Sequence, residues 1–488
     1  MSVSTRRALA WSLGERYLGV LVSIASTMVL SRLLTPAQVG IYSLCAAFVA
    51  VAGILRDFGI SEYIIQEKEL TPTRLRSAYG LAFVFAWTLG GTVFFSRNLV
   101  ADFYNEPQVA AVLAVLSLHF FILPIASPTF ALLNRELAFR PIFAVQLFSN
   151  IAQAVFMVSM AWAGFGVMSL AWGPIVNVAA QTAALCWIRP RDCLTLPGLR
   201  EARHVLRFGS MFVTSRTIEV LTRNFHEPVV AKQFDFASVG LLSRAFGLID
   251  LFHNNIGAAV VRVATPAFAA QRRDGGDLSI SFARATAIFS SVSWAFFGYI
   301  AVMAEPIIRL MFGVQWIEAA PLVVALAVST LPHGLIALAP QMLSATGHVG
   351  RRLKVSVIYS PVHIALILVA SQISLLAVAS VWLVSNSLMM MMYLHHLRAA
   401  LGVNLRLLLA PTLRSVAVVG GSLAALVLAL AVVRAFGDSI LAQLILGTVA
   451  WLMGWVAAAR VFSHPAYPEV RNLFELAKRR LALGRLGR

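Results

Sequence analysis

Five residues of one segment, Arg216, Glu219, Arg223, His226 and Glu227, fall within an arc of about 100° when the chain is wound at 100° per residue. Their surroundings, 204–231, are otherwise apolar enough to span a bilayer, where a charge at the centre costs at least about 2.5–3.5 kcal/mol. Such a stripe is suited to anion binding. A guanidinium stays protonated and presents a planar fork that can hold phosphate oxygens bidentately. The neighbouring carboxylates would pair with it or serve in ion coupling. Counted at about 1.5 Å per residue from Arg207, Arg216 lies near mid-membrane and Arg223 in the outer half. The next segment, 237–268, adds Arg244, Asn255 and Arg262 on one stripe and Asp250 and Asn254 on an adjacent one. Segment 9–34 places Ser12, Glu15, Gly19, Ser23 and Ser26 on a shared face, and 38–65 contributes Arg56 and Asp57 roughly 26 Å in from its outer end. Structural readings stand beside these. Arg216–Glu219 and Glu219–Arg223 have helical ion-pair spacing, so the stripe can also neutralise itself for packing. Arg56–Asp57 also fits a helix end. His119, His333 and His363 are isolated on apolar stretches and read as hydrogen-bonded packing residues, and Met389–Met392 as core or lipid-facing packing.

The elements that must position these residues follow from composition. Of 488 residues 59% are apolar and 12% charged, against about 25% charged in a globular domain. Such a chain faces lipid. Spans of about 20 apolar residues are predicted at 9–34, 38–65, 76–96, 108–133, 141–163, 166–188, 204–231, 237–268, 281–303, 318–345, 353–371, 373–397, 407–434 and 439–462, about fourteen in all. The net charge of +18 is dispersed in short clusters between spans, unlike the one-faced basic patch of a nucleic-acid binder. About 25 Lys and Arg fall on one set of loops and about 5 on the other, which puts both termini in the cytoplasm of a multi-pass inner-membrane protein. Arg6 and Arg7 before an apolar run resemble a signal peptide, but Glu15 and Arg16 interrupt it, and the run reads as a retained first span. Cys45, Cys186 and Cys193 fit no disulfide framework and read as free thiols. Residues 464–488 place Leu473, Phe474, Ala477 and Leu481 beside Arg471, Lys478 and Arg479, as a basic amphipathic tail on an anionic leaflet would. No Walker motif, His-Glu-x-x-His or paired-Cys site occurs, so no cofactor or metal is expected. Any transport would draw on an ion gradient, membrane potential or consumption of product.

The chain also repeats itself. Ala37-Gln38-Val39-Gly40-Ile41-Tyr42-Ser43 matches Ala237-Ser238-Val239-Gly240-Leu241-Leu242-Ser243; Leu99–Tyr104 matches Ile307–Phe312; and Ala110, Ala111 and Leu113 match Ala319, Ala320 and Leu322. Collinear matches at equivalent places in the span order predict a parallel repeat, with a site between lobes that rock to alternate access. The expected organisation is a six-helix lobe at 1–190, a second at 200–400, two appended helices at 401–463 and the tail.

The run Ser31-Arg32-Leu33-Leu34-Thr35-Pro36-Ala37-Gln38-Val39-Gly40-Ile41-Tyr42 resembles the polysaccharide-export (Wzx-type) branch of the multidrug/oligosaccharidyl-lipid/polysaccharide superfamily. So do Leu55-Arg56-Asp57-Phe58-Gly59, Leu133–Arg140, Thr222-Arg223-Asn224 and Ala345-Thr346-Gly347. The resemblance implies an all-α protein of two six-helix lobes around a cation-rich cavity. It also implies a flippase for polyprenyl-diphosphate-linked oligosaccharides, serving lipopolysaccharide, capsule or exopolysaccharide synthesis beside a polymerase and chain-length proteins. It carries Arg56, Asp57, Arg223 and Asn224 over as cavity residues. Where relatives often have an acidic or amide pair after Arg-Asn, this chain has Phe225-His226-Glu227. On this reading Arg56, Arg216, Arg223 and Arg244 hand a diphosphate outward, while Glu15, Asp57, Glu219, Glu227 and Asp250 couple ions or pair charges. The alternative, a drug or cation exporter on the same scaffold, would want unpaired carboxylates. A membrane glycan polymerase or ligase would want a large extracytoplasmic loop.

Overall fold

The computed structural model describes the backbone of residues 3–193, 195–437, 439–472 and 475, and within these the side chains of all but 3–17 and 208–216. The side chains of Glu15 and Arg216, and most of the amphipathic tail, lie outside the described residues.

Every described element is a helix, and among the described residues eleven are long and apolar enough to cross a membrane. The protein is an all-α, multi-pass membrane protein. The chain gathers into two compact units, Met1–Ser243 with Met311–Gln315, and Arg244–Leu310 with Trp316–Arg488. In chain order the first holds α1 (Val3–Leu33), α2 (Pro36–Asp57), α3 (Ile60–Gln66), α4 (Pro72–Tyr104), α5 (Pro107–Arg135), α6 (Phe139–Trp162), α7 (Val167–Ile188), α8 (Pro190–Cys193), α9 (Ala202–Asn224) and α10 (His226–Gln233). α11 (Phe236–Phe252) begins in it and ends in the second. The remainder is α12 (Ala258–Arg273), α13 (Leu278–Val302), α14 (Ala304–Met311), α15 (Ala319–Ser329), α16 (Leu331–Ile336), α17 (Ala339–Ala345), α18 (Val349–Ala370), α19 (Leu375–Leu401), α20 (Arg406–Phe436) and α21 (Ile440–Val461).

All fourteen predicted segments are helical. α7 and α9 are not among the eleven, and of α1 only Leu18–Leu33 has described side chains, a shorter apolar helix. Asn177 and Gln181 in α7, and the arginines of α9, dilute their hydropathy.

Several of the predicted segments are broken, among them 204–231, where Pro228 is expected to bend the helix near its outer end. Within 38–65, α2 stops at Asp57 because Phe58 and Gly59 turn left-handed, φ 40° and 69°. Within 204–231, Pro228 cannot continue a helix past the Asn224 carbonyl, and the chain breaks at Phe225. The helix predicted over 237–268 opens into a π-turn at His253–Gly257, an irregularity frequent at functional positions. The segment 318–345 is three short helices.

Helix starts follow sequence chemistry. Before α2, Thr35 Oγ1 accepts from the Gln38 N–H and Gln38 Oε1 from the Thr35 N–H, a reciprocal capping box. Pro36 then occupies the first turn, where no donor is needed.

The repeated motif packs on itself. A Cβ at Gly40 would lie 1.7 Å from the Phe236 carbonyl oxygen, one at Gly240 would lie 2.0 Å from that of Pro36, and Ser43 Oγ donates to Ser243 Oγ at 2.9 Å. Ser43 and Ser243, 200 positions apart, meet directly, and the approaches of Gly40 to Phe236 and of Gly240 to Pro36 are reciprocal. Small residues allow this approach.

In the second unit α20 and α21 pack closely through Gly421 against Ala458 and Gly454 against Ala425. They join α13 through Trp455 Nε1 to the Ser291 carbonyl, Trp451 Nε1 to that of Ala295 and Tyr299 to Thr448. Met389, Met390 and Met392 pack against a buried cluster around Phe282 and Leu397, while Met391 is exposed.

Candidate functional site: a buried arginine and an apolar cavity

Arg56 and Asp57 are the last two residues of α2, so the helix-end reading holds for both. They face a crevice lined by Ile60, Ser61, Ala86, Pro124 and Pro128. Ser61 Oγ donates to Asp57 Oδ1 at 2.8 Å. Arg56 Nε is buried and has no hydrogen-bond partner. An unsatisfied buried donor costs about 1–3 kcal/mol or more when charged, so leaving this nitrogen unsatisfied is costly. His119 of α5 interacts electrostatically with Arg56, and its Nδ1 is also buried without a partner. Sequence spacing hides this neighbour, because 63 positions separate the two residues.

Along α2 from Ala47 to Leu55 runs a second feature, a cavity of about 730 Å³ closed by α4 through Leu89, Val93 and Val100 and by the α9–α10 junction through Leu221, Asn224 and Pro228. None of its described lining residues is charged, and Thr92, Tyr104 and Asn224 are its polar members. Tyr104 donates to the Pro228 carbonyl at 3.3 Å, and Lys232 Nζ donates to that of Phe103 at 2.6 Å. These two bonds tie the end of α4 to α10.

Of the α9 stripe, Arg223 and Glu219 are exposed and Asn224 lines the cavity. His226 Nδ1 stands 3.0 Å from the Arg223 carbonyl oxygen, and His226 Nε2 stands 3.5 Å from Glu227 Oε2. The break at Phe225 therefore removes His226 and Glu227 from the continuous stripe. In the second unit the Arg244 guanidinium lies 5.3 Å from the Trp316 ring centroid, a cation–π arrangement. Asp250 lies in the turn before the π-turn. His333 is not isolated: its ring stands 5.5 Å from that of His253. His363 Nδ1 lies 2.9 Å from Ser385 Oγ, as a packing histidine would. All three cysteines are free.

A charged cluster escaped sequence reading altogether. Arg74 Nε donates to Glu201 at 3.0 Å, its Nη1 donates to Glu67 at 3.3 Å, and His204 Nε2 stands 3.1 Å from Glu67. The hydrogen bond from His204 holds the Glu67 carboxyl below its ordinary value. Partners 127 and 137 positions apart leave no local signal. Among the described residues no group of three or more His, Cys, Asp or Glu could hold a metal.

The family described as polysaccharide biosynthesis protein matches residues 29–321, more than half of the chain. The lipopolysaccharide biosynthesis protein WzxC of Escherichia coli (strain K12) is 24% identical over 75% of this chain and 74% of its own length. The teichuronic acid biosynthesis protein TuaB of Bacillus subtilis (strain 168) is 20% identical over 65% and 68%. Among solved structures, the lipid II flippase MurJ in an inward closed conformation superposes with a TM-score of 0.75 at 12% identity, over 93% of this chain and 100% of that one. An inward-facing multidrug MATE transporter of the MOP superfamily gives 0.63 at 14% identity, over 78% and 94%. The structural likenesses establish the fold, and the match over 29–321 establishes the lineage: this chain belongs to the polysaccharide biosynthesis protein family.

Proposed function

We propose that this protein is a flippase that carries polyprenyl-diphosphate-linked oligosaccharide units from the cytoplasmic to the outer leaflet of the inner membrane, not an enzyme. The units would serve lipopolysaccharide, capsule or exopolysaccharide synthesis beside a polymerase and chain-length proteins. The observation that carries the reading is the open guanidinium nitrogen of Arg56, buried at the end of a membrane helix in a member of this family. A diphosphate crossing a medium where bare charge is costly needs such partners. Arg56 receives it, and Arg216, Arg223 with Asn224, and Arg244 take it outward. Two six-helix lobes, 1–190 and 200–400, form the transport machinery, with 401–463 appended and both termini cytoplasmic. Described acids near the site are engaged, Asp57 by Ser61 and Glu227 by His226, which disfavours a cation exporter on the same scaffold.

The test is expression-normalised flipping in cells. Arg216→Ala and Arg223→Ala should leave the protein inserted and cause lipid-linked units to accumulate in the inner leaflet. Transport should fall about tenfold or more for each charge-assisted hydrogen bond removed. Lys at either position should rescue partly, since it keeps the charge and loses the fork. Should Glu219→Gln and Arg223→Ala instead both lower abundance while transport per molecule is unchanged, the stripe is an intrahelical ion-pair array and the relay is wrong.

A further inference from the structure

We propose that α18 and α19, at the ends that their loop charges assign to the cytoplasm, form a binding surface for an anionic phospholipid. Arg351 and Lys354 hold its phosphate, and an acyl chain lies along α18. This surface is separate from the Arg56 site, and lipid binding there can be read without any transport. Its first mark is charge that the protein does not neutralise. No Asp or Glu occurs between Glu318 and Asp438, and among the described residues neither Arg351 nor Lys354 has an ion-pair partner. Arginines elsewhere are paired: Arg74 with Glu67 and Glu201, Arg189 with Glu136, and Arg284 with Glu469.

Geometry gathers the basic groups. Arg351 Nη1 donates to the His396 carbonyl at 3.2 Å, which joins the two helix ends and leaves the rest of the guanidinium for an outside acceptor. His396 lies within electrostatic reach of His395, Arg351 and Lys354. Basic side chains of two helices thus share one spot, where a phosphate is the complementary group. The surface beside them names the rest of the ligand. Lys354, Ile358, Pro361, Ala365 and Leu368 are all exposed, and steps of four and three put them on one line along α18. Val355, His363 and Ile367, on the other side of the helix, are buried. From Lys354 to Leu368 the line runs about 21 Å, against about 30 Å for the hydrocarbon core of a bilayer. A cation at the head of an exposed apolar stripe matches an anionic amphiphile of the inner leaflet. An acidic protein segment would meet the charges but not the stripe, which suits hydrocarbon.

The experiment uses the full chain in liposomes of phosphatidylethanolamine with traces of phosphatidylglycerol or phosphatidylcholine, each carrying the same acyl-chain diazirine. Labelled peptides are mapped by mass spectrometry. The glycerol-to-choline label ratio on 357–368 should exceed that on 148–155, the stretch of α6 that exposes Ile151 and Val155, about fivefold. α6 has Arg140 at its own basic end, so a preference common to all basic span ends gives equal ratios. Arg351→Gln with Lys354→Gln should remove the excess, whereas Arg351→Lys with Lys354→Arg should keep it. Lys354 is exposed, so Lys354→Gln alone, which should lower the excess severalfold, serves if thermal midpoints show the paired variant misfolded. Equal ratios on the two stretches, or an excess that survives the Gln substitutions, overturns the proposal. So does loss of the excess on adding an equimolar polyprenyl phosphate, which assigns the surface to the carrier lipid instead.

Discussion

Individual polar side chains in this protein are settled by their immediate partners. Arg56 keeps a buried nitrogen open while Asp57 beside it is bonded to Ser61, a distinction that their adjacency in sequence cannot make. His464 shows the same dependence on partners and yields a pH prediction. It follows α21, is buried, stands 3.0 Å from Ser415 Oγ and accepts from the Ala466 N–H. Burial, and then the nearby Arg414, lower its pKa to about 4. Unfolded, it would titrate near the ordinary 6.5 and bind the proton first. The stability it confers is therefore complete above about pH 6.5 and lost as pH falls toward 4, a change of about 3 kcal/mol at most. Thermal midpoints of purified protein at pH 7.5 and 5.0 should fall less for His464→Gln than for wild type. A parallel fall in both would assign the acid sensitivity elsewhere.

At the scale of elements, breaks and close approaches matter more than helix length. α2 is started by the Thr35 capping box, ended by Phe58 and Gly59, and pressed through Gly40 against the start of α11. Gly40→Ala or Gly240→Ala puts a methyl 1.7 or 2.0 Å from a backbone carbonyl oxygen, which only backbone movement relieves. Overpacking of this kind costs about 1–3 kcal/mol, occasionally more, so both variants should melt lower and accumulate less. Gly53→Ala in the same helix meets nothing within 4 Å and should be neutral or stabilise by up to about 1 kcal/mol. If Gly53→Ala destabilises as much as Gly40→Ala, helix propensity rather than the close crossing is responsible.

For the whole molecule the decisive property is the alternation of basic and sparsely charged loops. If Lys and Arg near span ends are retained in the cytoplasm, it would orient every span at once, and topology mapping tests that proposal. Reporter fusions after Arg76, Arg200 and Arg352 should report cytoplasm, and fusions near Asn105, Gln233 and Gln315 the outside. One reproducible inversion breaks the fourteen-span assignment. It would do so most readily around α7 or α9, whose polar and charged residues make them the least apolar of the spans.

The amino-acid sequence by itself determined that this protein is helical, lies in a membrane, changes segment where it does and carries a repeat offset by 200. A bilayer imposes length and apolarity on each span separately, so those rules are local and can be read one segment at a time. Candidate arginines could be picked out for the same reason, since a charge inside an apolar run stands out against its neighbours. Tertiary structure alone decided which of them stays open. It also brought His253 to His333 and Arg74 to Glu201, and shaped an apolar cavity between α2, α4 and α9–α10. Each of these depends on which faces of distant helices meet, and apolar faces made of the same few residue types carry too little information to specify their partners.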